Sequence, residues 1–380
     1  MKFDPFLHSV FDELLMQNPF SMYDAGASGG VFSFFPLGDP RAYIYAFEPA
    51  PLAAQQLRDD DRLSQGVEVH ELALADTTGK RNFHFFESVP GSSSLNPQEI
   101  RLESGRPSET LIQVDCETLH SFCNREGVRG PDFLKMDTEG AEYPILVGAD
   151  SVLDDEILGI YSEIKFIPLS EEATTFRELN NLLEDKGFLL FDIQLSRMTR
   201  CGHSARVGGK KGRIESSNAL YIRDYYKYYN SVLVGASREK AKAKLVKLLI
   251  ICTKYLYMDY ALELVQFGEE LNLLKSDEVF VLKNMFSSIT DIAWRVPNFP
   301  GKATLALLAD YLSYILQPRL KNSVPPMHNN LGNRRSAMLR RKPPSSVTLY
   351  YPVRCLSDRK MLTMKVDIPK EGDGEKSFDV

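Results

Sequence analysis

Short apolar runs alternate with helix-patterned segments over roughly the first 223 residues, and the pattern changes near residue 230. Runs at 21–24, 43–48, Val67–Leu74, 133–136 and 157–164 have the length and composition of buried strands. Phe6, Val10, Leu14 and Leu15 share one face of a predicted helix over 5–17. Gly29 and Gly30 are read as opening a brief helix, which Pro36-Leu37-Gly38-Asp39-Pro40 breaks. A helix over 51–58 follows the second strand. The segment 76–115 reads as a β-rich insertion: a turn at Thr77-Thr78-Gly79-Lys80, strand-like Asn82–Phe86, a loop at Gly91–Ser94, and a strand at Thr110–Val114. Glu171–Lys186 reads as a helix that Gly187 ends. Phe188–Ile193 and Ala219–Ile222 close the sheet as an antiparallel hairpin. Strands alternating with helices predict a seven-stranded, mostly parallel α/β sheet.

Beyond residue 230 the period becomes helical. Ser237 is a good N-cap for a run reaching about 272, Ser276-Asp277-Glu278 starts another helix, and 302–317 forms a third. From residue 321 prolines and the basic cluster Arg334, Arg335, Arg340, Arg341 and Lys342 indicate a loose tail. Within it, Val347–Val353 and Met361–Ile368 alternate enough for a short β-hairpin. Three parts result: an α/β domain at 1–228, a helical domain at 229–320, and the tail at 321–380.

Composition narrows the class. The 380 residues carry a net charge of -6, which argues against wholesale nucleic-acid binding. The five cysteines (Cys116, Cys123, Cys201, Cys252, Cys355) form no CxxC pair, so reduced thiols in a reducing, cytoplasmic compartment are expected. Met1-Lys2-Phe3-Asp4-Pro5-Phe6 lacks the apolar region of a secretory signal. Lys247 and Lys254 interrupt the apolar stretch Leu245–Tyr257, which reads as a buried helix and not as a membrane span.

Three strand ends carry candidate chemistry: Asp24-Ala25-Gly26-Ala27-Ser28-Gly29-Gly30, Ala46-Phe47-Glu48-Pro49, and Leu134-Lys135-Met136-Asp137-Thr138-Glu139-Gly140-Ala141-Glu142. Ligands in open α/β sheets bind outside the carboxyl ends of the strands. Gly26 lets the backbone turn and approach a ligand closely. The G-x-G-x-x-G dinucleotide fingerprint is absent, which disfavours an NAD-dependent oxidoreductase. An acid at Asp24 suits a cofactor with an ammonium and a sulfonium, and Glu48 at the next strand end can chelate two ribose hydroxyls. The donor set favours S-adenosylmethionine.

These segments resemble the FkbM-type family of S-adenosylmethionine-dependent methyltransferases over about residues 20–223. Ala73-Leu74-Ala75-Asp76, Ser93-Ser94-Leu95, Thr118-Leu119, Gly148-Ala149 and Glu163 extend the match, and Asp137-Thr138-Glu139-Gly140-Ala141-Glu142 is its most specific element. The resemblance implies a class I methyltransferase (Rossmann-like) fold and methyl transfer to a hydroxyl of a sugar, glycan or natural product. It assigns Asp24, Gly26, Ala27, Ser28, Gly29, Glu48, Pro49, Ala73, Leu74 and Asp137 to the cofactor, with Asp24 and Gly26 bordering the methionine moiety and Ala73 or Leu74 the adenine. Two positions depart from the family: His120 stands where an aspartate is frequent, and Ser28 where asparagine is usual.

An alcohol needs a base that takes its proton as it attacks the methyl group. Glu139, Asp137 and Glu142 are the candidate catalytic acids, Glu139 first. Ser93, Ser94, His120 and Glu163 are candidates for acceptor binding. No third ligand accompanies Asp137 and Glu139 in sequence, so no metal site is assigned. The helical domain, without a catalytic signature, is read as a homo-oligomer or partner surface. The rival function is a non-catalytic methyltransferase-like module that binds a partner through that domain; other acceptors, a protein side chain or a nitrogen, also stay open.

Overall fold

The computed structural model describes residues 10–288 except 62, 64–65, 87–92, 97–107, 168–173 and 199–212, and beyond them residues 300, 305, 346–351 and 362–367. Part of the 5–17 helix, most of the 302–317 helix, the basic cluster, Cys201 and Cys355 lie outside the described residues.

In chain order the elements are α1 (Asp12–Gln17), β1 (Phe20–Ala25), β2 (Ala42–Phe47), α2 (Pro51–Arg58), β3 (Val67–His70), β4 (Ala73–Leu74), β5 (Gly79–Phe85), β6 (Thr110–Glu117), α3 (Leu119–Glu126), β7 (Phe133–Met136), α4 (Glu142–Ala149), α5 (Ser151–Asp155), β8 (Gly159–Lys165), α6 (Phe176–Asp185), β9 (Phe188–Met198) and β10 (Arg213–Arg223). Then follow α7 (Tyr225–Tyr228), a π-type turn at Tyr229–Leu233, α8 (Arg238–Tyr255), α9 (Met258–Glu270), α10 (Ser276–Ser288), β11 (Ser346–Tyr351) and β12 (Leu362–Asp367).

The main sheet has seven strands in the order β3-β2-β1-β7-β8-β10-β9. The pairs β1–β2, β2–β3, β1–β7 and β7–β8 are parallel, and β10 runs antiparallel to β8. This is the mostly parallel, class I methyltransferase sheet expected from the apolar runs. The β-rich insertion is a second sheet, β4-β6-β5. The strand expected over Val67–Leu74 breaks in two. Leu72 N donates to His70 O at 2.9 Å, and β4 leaves the main sheet to pair with β6.

Between β1 and β2 the expected helix is absent: residues 26–41 form turns and loop. Pro36 and Pro40 forbid continuation, and three phenylalanines anchor the loop instead. Phe32 stacks on Tyr161 at 6.0 Å between ring centroids, Phe34 meets Phe133 at 4.5 Å, and Phe35 meets Phe20 at 5.5 Å. Helix α3 was not foreseen, although its caps were legible: Thr118 Oγ1 accepts from Ser121 N, and Gly127 takes a left-handed φ of 66°.

Residues Asp4–Leu195 and Glu215–Lys283 form one compact unit. The helical run expected from Ser237 divides at Leu256, whose φ is +65°, into α8 and α9. Helix α8 is buried along most of its length, as the Leu245–Tyr257 stretch predicted, and it packs on the sheet. Phe133 and, from α8, Ile251 fill the space left bare at Gly159, and Tyr255 stacks on Phe133. Lys244 and Lys247 reach the buried Asp132 at 3.1 and 2.7 Å. The other unit contains the expected hairpin, with Ser346 of β11 opposite Asp367 of β12. Among the described residues no helix is long and apolar enough to cross a membrane.

Candidate active site

A cleft with about 680 Å³ of free space, its open mouth included, lies at the carboxyl ends of β1, β2 and β7. One wall is apolar: Phe47, Leu72, Ala73, Leu74 and, from the insertion, Phe83 and Leu95. The polar lining comes from Ser28, Glu48, Ser93, Asp137 and Thr138, with Gly26 and Pro49 supplying backbone and ring surface. The insertion thus completes a cleft that the main sheet opens.

Glu48 follows β2 and is 3% exposed. Its Oε1 accepts from Ala50 N at 2.9 Å. Burial pushes its carboxyl above the ordinary range, opposed by the Ala50 N–H, by Lys135 and by the Ser28 N–H. Gly26 takes a φ of +79°, and a Cβ there would stand 2.0 Å from Asp137 O. Only glycine permits both the turn and that approach.

Asp24 is 1% exposed and faces into the protein. Its Oδ2 accepts from Phe32 N at 2.7 Å, and its Oδ1 lies 2.9 Å from Lys135 Nζ. The same ammonium donates to Gly26 O at 2.8 Å and lies 3.9 Å from Asp137 Oδ2. Burial raises the Asp24 carboxyl, and Lys135 pulls it back. The Asp137 side chain is 50% exposed.

The turn after β7 is held from several sides. Buried Glu142 accepts from Thr138 N at 2.9 Å, from Thr138 Oγ1 at 3.0 Å and from Gly140 N at 3.0 Å. Gly140 O accepts from Asn96 Nδ2 and Thr174 Oγ1. Glu139 sits in the turn with φ +56°, an uncommon conformation for a side-chain-bearing residue. Its Oε2 meets Lys165 Nζ at 2.5 Å, and Glu163 Oε2 meets the same ammonium at 2.8 Å. Pairing of Met136 with Ser162 places Glu163 level with Asp137 across β7 and β8. Burial first, then Glu139, pushes the Glu163 carboxyl up to about 8, against the pull of Lys165. Burial alone would lower the Lys165 ammonium, but Glu163 and Glu139 outweigh it and raise it.

The structure therefore gathers Gly26, Ser28, Glu48, Pro49, Ala73, Leu74, Ser93 and Asp137 on one cleft, with Glu139 and Glu163 in a cluster beside it. Other candidates are placed elsewhere. Ala27 is fully buried against Ala46, Leu57 and Leu63. Gly29 turns in the loop at φ +82° with open space around it, not at a helix start. Ser94 donates to Asn96 O and is 1% exposed. His120 bonds Asn124 at 2.8 Å and Ser151 at 3.2 Å on the α3–α5 side. Glu142 is turned inward as the tie of the turn described above. Sequence reasoning gave no role to Lys135 or Lys165. The signal for Lys165 was available, since alternation along β8 puts Glu163 and Lys165 on one face. Among the described residues no three His, Cys, Asp or Glu side chains gather to hold a metal ion.

Residues 24–190 match the family described as the methyltransferase FkbM domain. Methyltransferase sdnD of Sordaria araneosa is 32% identical over 202 residues, 46% of this chain and 75% of that protein. The chain belongs to the FkbM methyltransferase family. Two further FkbM-type relatives are more distant. The 2-O-methyltransferase NoeI of Sinorhizobium fredii is 26% identical over 157 residues, covering 38% of this chain and 62% of that protein. The 31-O-demethyl-FK506 methyltransferase FkbM of Streptomyces tacrolimicus is 24% identical over 167 residues, covering 38% and 64%. Like its family, this FkbM-type chain is an S-adenosylmethionine-dependent methyltransferase. The cleft suits that cofactor: a bare glycine cradle at Gly26, a carboxylate at the end of β2, and an apolar wall of Phe47, Leu72, Ala73 and Leu74.

Proposed function

We propose that this chain transfers the methyl group to a hydroxyl of a small acceptor, a sugar, glycan or hydroxylated natural product. The carrying observation is the Glu139–Lys165–Glu163 cluster, which puts two carboxylates on one ammonium beside the cleft. The names of two relatives, a 2-O-methyltransferase and a 31-O-demethyl-FK506 methyltransferase, support oxygen as the nucleophile.

When bound, S-adenosylmethionine supplies an electrophilic methyl on a sulfonium. Glu48 receives the ribose hydroxyls, and Leu72, Ala73, Leu74 and Phe83 enclose the adenine. Gly26 and Ser28 present backbone to the methionine portion, and Asp137 offers a half-exposed carboxylate there. Ser93 faces the same space from the insertion. Orientation of acceptor against donor contributes about 7–11 kcal/mol to such a reaction. A positioned base adds about 10²–10⁴-fold. Both carboxylates stand on Lys165; Glu163, its carboxyl raised towards neutral pH by burial and by Glu139, is the better proton acceptor. The buried free thiols of Cys116, Cys123 and Cys252 fit a reducing, cytoplasmic compartment.

The test is calorimetric titration with S-adenosylmethionine, S-adenosylhomocysteine and NAD, followed by transfer of labelled methyl to hydroxylated sugars, oligosaccharides and polyketide alcohols. Label arriving as a methyl ether supports the reading. Label arriving only on amines overturns it, and tight cofactor binding with no transfer to any acceptor favours the non-catalytic module.

A further inference from the structure

We propose that Lys135 is the positioning residue of the cofactor site: it makes Asp24 an internal anchor, and leaves Glu48 and Asp137 as the carboxylates that meet S-adenosylmethionine.

In a strand–turn–helix site, the first turn of the helix fixes the glycine loop and presents free N–H groups to the ligand. Here no helix follows β1; residues 26–41 are turns and loop. The loop must be held by other means. Register places Lys135 of β7 directly beside Asp24 of β1. From there its ammonium makes three contacts with site elements. It lies 2.9 Å from Asp24 Oδ1, donates to Gly26 O at 2.8 Å, and stands 3.9 Å from Asp137 Oδ2. Asp24 in turn accepts from Phe32 N at 2.7 Å and so fixes the aromatic loop on the sheet. Gly26 meets the backbone of Asp137 so closely that a methyl group would collide with it. One cation thus joins the glycine turn, the loop after it and the acidic end of β7.

The consequence for Asp24 is specific. Its carboxylate is 1% exposed, paired with a cation and bonded to a backbone N–H, and it is not part of the cleft lining. A cofactor ammonium would have to displace Lys135 to reach it. Asp137, half exposed and in the lining, needs no such exchange. The inference depends on the cofactor and not on the identity of the acceptor.

Binding of S-adenosylhomocysteine to the full-length chain, read by calorimetry, separates anchor from ligand. The variants are Lys135→Met, Lys135→Arg, Asp24→Asn and the double variant Asp24→Asn/Lys135→Met, each checked by circular dichroism. Lys135→Met leaves a buried carboxylate unpaired, and Kd is expected to rise on the order of 10- to 100-fold. Lys135→Arg keeps the cation and should bind within a few-fold of the parent. The double variant removes both charges and should bind more tightly than either single neutral variant. If Asp24 were a ligand, the double variant would bind no better than Asp24→Asn, and that result overturns the proposal. So does a Lys135→Met variant with the parent Kd. If Lys135→Met fails to fold, the comparison of the double variant with Asp24→Asn still decides the question.

Discussion

Replacing Asp132 by asparagine should destabilise the whole compact unit, because Asp132 is where the helical segment is fastened to the sheet. The side chain precedes β7 and is 2% exposed. It accepts from Ser21 N at 2.9 Å and pairs with Lys244 at 3.1 Å and Lys247 at 2.7 Å. Removing one partner of a buried ion pair costs about 3–5 kcal/mol, since the other charge stays buried. Two features place this case near the lower figure. Lys244 keeps Glu156 at 2.7 Å, and asparagine can still accept from Ser21 N. Lys247 keeps the uncharged Pro19 O at 2.8 Å, so the loss concentrates there. A destabilisation of about 3 kcal/mol is a large share of the 5–15 kcal/mol typical of a domain, and it should lower Tm by roughly 6–12 °C. Its pH dependence has a definite sign. Burial alone would raise the Asp132 carboxyl, but Lys247 and Lys244 outweigh it and hold it below the ordinary 3.8. A carboxylate lowered in the folded state stabilises above its unfolded pKa and loses that contribution as pH falls through the folded value. The gap between parent and variant should therefore be full at pH 7 and close only well below pH 4. Urea and thermal unfolding followed by far-UV circular dichroism measure it. Adding Lys247→Met to the variant should restore stability. A variant within about 0.5 kcal/mol of the parent, the range of neutral surface substitutions, would refute the reasoning.

Gly26→Ala forces a side chain into a φ of +79° and against Asp137 O, so S-adenosylhomocysteine binding should weaken at least ~10-fold, with strain of about 1–3 kcal/mol lowering Tm. Unchanged Kd by calorimetry would show that the turn can shift freely. Glu163→Gln should cut kcat by about 10²–10⁴-fold while sparing cofactor affinity. The parent rate should rise with pH through a midpoint near 8, and Glu139→Gln, by removing a charge that raises Glu163, should move that limb to lower pH. A limb that stays in place would take Glu139 out of the proton chemistry. A chain ending after Arg223 should show no cooperative unfolding transition in calorimetry, because it lacks α8; a sharp transition would mean that the sheet face is stable uncovered.

Much of the site was legible because strand ends advertise themselves. A carboxylate or glycine directly after an apolar run is visible without a structure, and Gly26, Glu48 and Asp137 all lie on the cleft. What stayed hidden depends on partners distant in sequence. Asp24 reads as an available acid until Lys135, 111 positions later, is seen beside it. Glu142 reads as a third catalytic acid, yet its oxygens serve the turn that presents Glu139. Gly29 and Gly30 suggested a helix start, but a positive φ at both and the packing of Phe32, Phe34 and Phe35 settle the segment as a loop. Lys247 and Lys254 looked like interruptions of an apolar run. Both fasten it, Lys247 to Asp132 and Lys254 to Phe34 O.

The missing helix and the buried α8 are two sides of one solution. A parallel sheet needs both faces covered. Without a helix after β1, Phe133 and Tyr161 would face water on the side where that helix would lie. Phe32 and Phe34 cover part of this surface, and Tyr255 closes it from α8, at 5.7 Å from Phe34, 6.0 Å from Phe133 and 6.2 Å from Tyr161. The loop that follows the glycine turn is therefore packed beneath a helix that lies beyond residues 24–190 of the family match. Lys254 adds a hydrogen bond to Phe34 O. Since Phe32 N also holds Asp24, the helical segment bears on the cofactor turn through three linked contacts, Tyr255 to Phe34, Phe34 to Phe32 and Phe32 to Asp24. On this reasoning α8 belongs to the catalytic unit in a physical sense: it supplies the cover that lets a loop do the work of a helix.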